Sequence, residues 1–292
     1  MTEQLFNALS LGFTYSLISL GYSMVYGIIN LINFAHGEFF MLGAYAGVIS
    51  LIIGIPWYIS FFISIIVGAF VSTFVEVIGY RPLREKNSGR LTALITAISF
   101  SLFFQNFIFL FPGADLIGLG NRNPMHGAVI TVGDFKIPLI KFFIFVVTIF
   151  LLILLILIVY RTKIGKAMRA VAFSKDISSL MGINPNFVIS FTFALGGGLA
   201  GAAGFLEALD KNQVYNFMGV IPGLKAFIAA VVGGIGSISG AVAGGILIGF
   251  LETISVVIGL SFIKDVISFV LLILILILKP SGLFLKTQRE KV

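Results

Sequence analysis

The sequence predicts an all-α, polytopic integral membrane protein of about eight or nine membrane segments, and three observations carry that prediction. Hydrophobic residues make up 59% of the 292 and charged residues only 11%, with a mean hydropathy of +1.11. A soluble domain is about half apolar and about a quarter charged, so the surplus apolar surface must face lipid. The apolar runs are also long and lack strand-like alternation, so helices rather than a barrel satisfy the backbone. Finally, the basic residues are gathered: Arg81/Arg84/Lys86/Arg90, Arg161/Lys163/Lys166/Arg169/Lys175 and Lys279/Lys286/Arg289/Lys291 hold 13 of the 19 Lys and Arg. By the positive-inside rule these three segments are cytoplasmic. The net charge of +7 is thus a topology device and not the mark of a nucleic-acid partner. The absence of cysteine excludes disulfides and thiolate metal sites.

A membrane helix needs about 20 predominantly apolar residues. Spans are read at about 5–29, 37–55, 57–80, 91–111, 140–160, 187–208 and 263–279, with a glycine-rich stretch at 222–259 that either crosses twice or folds back as a re-entrant or broken helix. The opening "MTEQLFNALSLGF" lacks the basic n-region and cleavage site of a removed signal peptide. Counting back from cytoplasmic Arg81 places the N-terminus outside and the C-terminus in the cytoplasm.

Between the first two spans, "INFAHGEFFMLGAY" sets Asn33, His36, Gly37 and Glu38 among apolar residues. A charge within a span costs about 2.5–3.5 kcal/mol at the centre, so such groups face a cavity or a partner. Glu38 falls in the first turn of the second span, where the helix dipole favours a carboxylate, and Asn33 is placed as an N-cap or turn residue. The motif is therefore a capped inner turn, or the border of a translocation path or its gate. Neither catalysis nor metal binding fits it. His36 and Glu38 are two apart and do not share a helix face, and the other histidine, His126, is expected on the opposite side. Glu76 stands one turn before Arg81 and is expected to pair with a basic neighbour; no acid is expected mid-span with a basic companion on a clean face.

The outer loop 112–139 contains "GAVITVGDFKIP", alternating around Gly133-Asp134, which predicts a small β-hairpin near 128–138. In the inner stretch 161–186, Ile164, Ala167, Met168, Val171, Ala172, Ile177, Leu180 and Met181 recur at helical steps and predict one amphipathic helix over about 166–181. Gly182 can end it in the left-handed conformation, and Pro185 prevents its resumption. It is either an interfacial anchor or a rigid knob for a cytosolic partner. Gly197, Gly201 and the Ala200/Gly204 pair, and then Gly236/Gly240/Gly244 and Gly245/Gly249, form small-residue stripes for close helix packing. Gly233-Gly234-Ile235-Gly236-Ser237 interrupts helical continuity, which makes it either a path-lining break or an inner turn.

Four blocks carry a family resemblance in order: "SLGFTYSLISLGYSMVYGIINLINFAHGEFFMLGAY" (10–45), "EVIGYRPLREKNSGRLTALITAISFSLFFQN" (76–106), "GKAMRAVAFSKDISSLMGIN" (165–184) and "LKAFIAAVVGGIGSISGAVAGG" (224–245). Together they resemble the Liv-type permeases of branched-chain amino acid ABC importers, and within these the LivH-type subunit. The resemblance implies one transmembrane permease domain over 1–292, in a bacterial inner membrane, carrying leucine, isoleucine and valine. It also implies two cytosolic ATPases, a second LivM-like permease and a periplasmic or lipid-anchored binding protein, with no cofactor. Relatives of similar sequence carry urea or short amides; an ion-coupled secondary transporter is the alternative of a different class. The chain has no G-x-x-x-x-G-K-[ST] phosphate loop, so ATP hydrolysis must come from partners docked on 161–186. Lys166, Arg169, Ala170, Gly182, Ile183 and Pro185 are the expected coupling residues. Asn33, His36, Glu38, Gly233, Gly234, Gly236 and Ser237 are the expected path or gate residues.

Overall fold

A computed structural model describes residues 2–86, 88–111, 115–132 and 135–284. The chain runs α1 (Thr2–Ile29), α2 (His36–Ile52) and α3 (Trp57–Val75), then a π-helical turn at Glu76–Tyr80, α4 (Arg81–Glu85) and α5 (Arg90–Leu110). The loop after α5 holds β1 (Ile117–Gly118), β2 (Val129–Val132) and β3 (Phe135–Pro138). There follow α6 (Leu139–Arg161), α7 (Lys163–Phe173), α8 (Lys175–Leu180), α9 (Pro185–Lys211), β4 (Gln213–Val214), α10 (Val220–Gly233), α11 (Ile238–Val257) and α12 (Lys264–Leu278). Strands β2 and β3 pair antiparallel as the expected hairpin, whose Gly133-Asp134 tip lies outside the described residues. Strand β1 pairs with β4, tying the loop after α5 to the exit of α9. Lys286, Arg289 and Lys291 also lie outside the described residues.

Among the described residues seven helices are long and apolar enough to cross a membrane, and α2 and α10 are shorter apolar helices. The long ones show how apolar surface is disposed. Ile66 and Phe70 on α3, Phe150 and Ile153 on α6, and Ile273 and Ile277 on α12 are exposed, as side chains that meet lipid must be. Helix α2 is the opposite: 14 of its 17 residues are buried, so it forms the centre of the bundle.

Lipid is as apolar as leucine, so these helices are held together by close packing and not by expulsion of water. The glycine stripes supply it. Gly197 and Gly201 of α9 press on Ser64, Gly68 and Ser72 of α3; Gly201 and Gly204 also meet Gly43 and Phe40 of α2. On the other flank, Gly245 and Gly249 of α11 lie against Ser16 and Gly12 of α1, where Ser16 also donates to the Val242 carbonyl at 3.0 Å. A methyl group added at Gly201 would stand 2.3 Å from the Ser64 carbonyl oxygen. Gly201→Val is therefore expected to destabilise the bundle by about 1–3 kcal/mol, as overpacking does. Thermal unfolding in detergent checks this, against Gly118→Ala, whose added methyl meets no atom within 4 Å.

Candidate functional site

The polar stretch after α1 does not stay at the end of the bundle. Asn30 takes a left-handed conformation (φ 53°), and the chain turns back inward through Leu31–Phe34. The His36 ring nitrogen then bonds the Ile18 carbonyl at 3.2 Å. Ile18 lies eleven residues before the end of α1, about 16 Å along the axis at ~1.5 Å per residue. Helix α2 thus starts inside the bundle. Asn33 is a turn residue and not the N-cap: its Oδ1 accepts from Ala35 N–H at 3.1 Å and from the Tyr80 hydroxyl at 3.0 Å, and Ala35 holds the cap position. Glu38 occupies the first turn of α2, 2% exposed, and its Oε1 accepts from Ser101 Oγ at 2.8 Å and Gln105 Nε2 at 2.7 Å.

A second helix begins at the same place. After β4 the chain re-enters through Tyr215–Gly219, and α10 starts with Gly219 and Gly223 against Gly37. A Cβ on Gly219 would lie 2.1 Å from the Gly37 carbonyl oxygen, so the two helix starts touch backbone to backbone. From there α2 runs towards the α3 connection, and α10 runs to the opposite end, where Gly236 meets Gly27 near the end of α1. A cavity of about 360 Å³ opens beside the junction, lined by Tyr22, Glu38, Ser101 and Gln105 among apolar side chains. The interruption at membrane depth therefore precedes α10. Gly233, Gly234, Gly236 and Ser237 instead form the α10–α11 turn, with Gly234 and Gly236 at φ 106° and 94° and Ser237 accepting from Gly240 N–H at 3.1 Å. Arg169, Gly236 and Ser237 share a separate pocket of about 340 Å³, apart from Asn33, His36 and Glu38.

The inner stretch also differs from its expected single helix. Ser174 is extended (φ −158°) and caps a new start by accepting from Ile177 N–H at 3.3 Å, so the helix divides into α7 and α8. Helix α7 buries Met168 and Val171, while the Arg169 guanidinium bonds the Val159 carbonyl and sits 5.5 Å from the Tyr160 ring centre. Lys166 is exposed and Ala170 half-buried. Gly182 has the left-handed φ of 80°, with open space where a Cβ would stand. Ile183 is half-buried, and Pro185 opens α9 behind Asn184, whose side chain accepts from Phe187 N–H at 3.2 Å. Phe173 (88%), Leu180 (86%) and Met181 (77%) stand exposed at the tip. Burial and the nearby Arg84 charge hold the Lys175 ammonium below the ordinary lysine range. Arg84 in turn bonds Asn186 at 2.8 Å and pairs with Glu76 at 2.9 Å; Glu76 also pairs with Arg81 at 3.1 Å.

One cluster joins acids near the ends of two helices to a buried lysine that the sequence pattern does not pair with them. Lys225 of α10, 3% exposed, lies 2.6 Å from Glu252 of α11 and 2.6 Å from Asp265 of α12. Tyr15 and Ser268 donate to Glu252, each at 3.2 Å. The group sits at the floor of a cavity of about 490 Å³ that Glu207, Asp210, Lys141 and Lys211 also line. Lys225 stands alone in an apolar run and its partner is 27 positions away, so only the α10–α11 hairpin brings them together.

A lipid-facing helical bundle with two helices starting inside it, and polar groups at their junction, defines the class of multi-pass membrane permeases. The family model "Branched-chain amino acid transport system / permease component" matches residues 4–276, and the chain belongs to that family. It is 38% identical to the high-affinity branched-chain amino acid transport system permease protein LivH of Salmonella typhimurium, over 99% of this chain and 97% of that protein. It is 39% identical to the corresponding protein BraD of Pseudomonas aeruginosa, with the same two coverages. Among solved structures, PsaBC from Streptococcus pneumoniae in complex with Fab resembles it in fold, with a TM-score of 0.52 at 16% identity, covering 98% of this chain and 95% of that one.

Removing one partner of a buried ion pair leaves the other charge uncompensated, at about 3–5 kcal/mol, whereas replacing both by apolar residues is often near neutral. Lys225→Met is accordingly expected to lower thermal stability in detergent strongly. Lys225→Met combined with Glu252→Leu and Asp265→Asn should recover most of the loss; additive losses would mean that the cluster is not one interaction.

Proposed function

We propose that this chain is the membrane-spanning subunit of an ATP-driven importer that moves branched-chain amino acids across a bacterial inner membrane. The observation that carries the reading is the full-length likeness to LivH and BraD, together with an exposed apolar tip where the bundle carries its basic charge. The basic end faces the cytoplasm in this reading, with the N-terminus outside. The chain acts as one permease domain, and α7, α8 and Gly182–Pro185 form the surface on which cytosolic ATPases dock. Lys166, Arg169 and Ala170 flank that surface. A second, LivM-like permease completes the path, and a binding protein docks on the loop side that carries β1–β4 and delivers the solute. Asn33, His36 and Glu38 border the path, and the Gly233–Ser237 turn closes its inner side.

A second reading has one observation in its favour. The buried Lys225–Glu252 pair is what an ion-coupled carrier would need. Uptake by the purified chain alone in liposomes, driven by an ion gradient without ATP, would favour that reading over the importer.

The exposed tip gives a direct test. Leu180 and Phe173 support little of the fold, so Leu180→Asp and Phe173→Asp should insert at normal levels. Leucine uptake should fall about tenfold or more, since a charge buried in an apolar interface costs well over 1.4 kcal/mol. The ATPases should also be lost from a detergent pull-down. Normal uptake with both variants would remove the docking assignment.

A further inference from the structure

Glu38 is not fully used by the fold. Ser101 and Gln105 both bond its Oε1, while Oε2 is buried with no hydrogen-bond partner; the residue lines the cavity at the α2–α10 junction. Among the described residues no Lys, Arg or His pairs with it. The neighbouring His36 ring is turned away to the Ile18 carbonyl. A buried carboxyl oxygen without a donor is costly, and in a native structure it asks for a missing partner. An ammonium group, with three N–H donors, is the small-molecule group best matched to it.

Three other features converge on this cavity. The starts of α2 and α10 both lie on its wall, and Gly37, Gly219 and Gly223 leave their backbone uncovered by side chains. Helix starts carry partial positive charge, a setting that suits a carboxylate, although Glu38 N–H and Val220 N–H already bond the Ala35 and Phe217 carbonyls at 3.0 and 3.1 Å. On the facing wall, Leu94, Ile98 and Leu102 of α5 and Leu224 of α10 are apolar. The volume, about 360 Å³, lies within the range of small-molecule sites.

We infer that this cavity is a transit subsite for a small zwitterion with an apolar side chain: Glu38 takes the ammonium, the paired helix starts take the carboxylate, and the α5 wall takes the side chain. The inference rests on the import path proposed above and adds to it the groups that hold the solute on the way. At the larger cavity the buried lysine already lies between two carboxylates.

The chain contains no cysteine, so a single introduced thiol is the only one in this subunit, and vesicles with the unsubstituted chain give the background from other proteins. Leu102→Cys lines it and is 54% exposed at the start. In membrane vesicles holding the assembled transporter, this thiol is reacted with a cationic and with an anionic methanethiosulfonate of similar size. The cationic reagent should react about tenfold faster or more, as expected for a carboxylate at short range in a partly buried site. L-Leucine should slow the reaction, whereas isopentylamine, which lacks the carboxylate, and 4-methyl-2-oxopentanoate, which lacks the ammonium, should protect much less. Adding Glu38→Gln should bring the two rates together and abolish protection.

Equal rates for the two reagents, or equal protection by leucine and the oxo acid, would overturn the subsite while leaving a water-filled path in place. Reaction with neither reagent would mean that the α5 wall faces lipid, and would overturn the path reading itself. The reagent ratio and the analogue comparison are both read with Glu38 intact, so poor folding of the Gln variant leaves the test decisive.

Discussion

A helix that begins inside a bilayer leaves its first amide N–H groups without intrahelical acceptors, and lipid supplies none. Here two helices begin at one place, and much of the bundle answers that requirement. Helix α2 is enclosed on nearly every side, with α3 and α9 packed along it and α10 starting at its foot. Gly37, Gly219 and Gly223 bring the two starts into backbone contact, and Asn33 folds its amide oxygen back onto the turn before α2. The glycine stripe of α9 belongs to the same solution, because α9 could not otherwise approach α2 at Gly43 and α3 at Gly68 together. A chain of 59% hydrophobic residues thus spends its 33 glycines largely on distance: they bring backbones close where side chains would hold them apart.

The long spans were legible because their signal is compositional and local. A run such as Leu139–Arg161 can only be a membrane helix, and its ends fall within a residue or so of those read from hydropathy. The hairpin at Val129–Pro138 was legible for the same reason, through its alternation and its turn pair. What escaped depends on tertiary placement. Hydropathy registers α2 as a span, but not that its first turn lies at the level of Ile18. The glycines at 233–237 read as either a break at depth or an inner turn; the positive φ of Gly234 and Gly236 serves the turn, and the interruption lies at 215–219, where little in the local pattern marks it. Ser174 reads equally well as a polar position on one helix; that it caps a second start depends on its extended backbone. The Lys225–Glu252–Asp265 cluster joins three helices, so neither Lys225 nor Glu252 has an oppositely charged neighbour within its own apolar run.

Between the exposed tip and the buried junction runs a short series of contacts. The start of α9, just beyond Gly182, is held by Asn186 to Arg84, and Arg84 is held to Glu76, whose side chain is wholly buried. Ser190, one turn further along α9, donates to the same carboxylate at 2.5 Å. Glu76 opens the π-helical turn that ends at Tyr80, and the Tyr80 hydroxyl reaches Asn33 at the entry to α2. A π-turn carries one extra residue per turn and is a recurrent feature of functional sites. Here it does two things at once, turning Glu76 towards the arginines and Tyr80 towards the interior. Rigid motion of α8 would therefore meet a charged, hydrogen-bonded strut before it met any loosely packed element.

That arrangement bears on how an importer built this way could use work done at its surface. Packed interfaces shift between discrete arrangements and do not deform smoothly, so a small displacement at the tip has to be absorbed where the packing offers an alternative. The glycine contacts of α9 with α2 and α3 offer little room, because backbone already meets backbone there. The α2–α10 junction is different. Two separate helices abut there with a cavity on one side, and each is continuous with an irregular segment, 30–35 before α2 and 215–219 before α10. Those segments can change direction without breaking a helical hydrogen bond, whereas a continuous span cannot. In the proposed importer, the contacts through Glu76 and Tyr80 lead to Asn33, within one of these segments, and from there to the helix that carries Glu38.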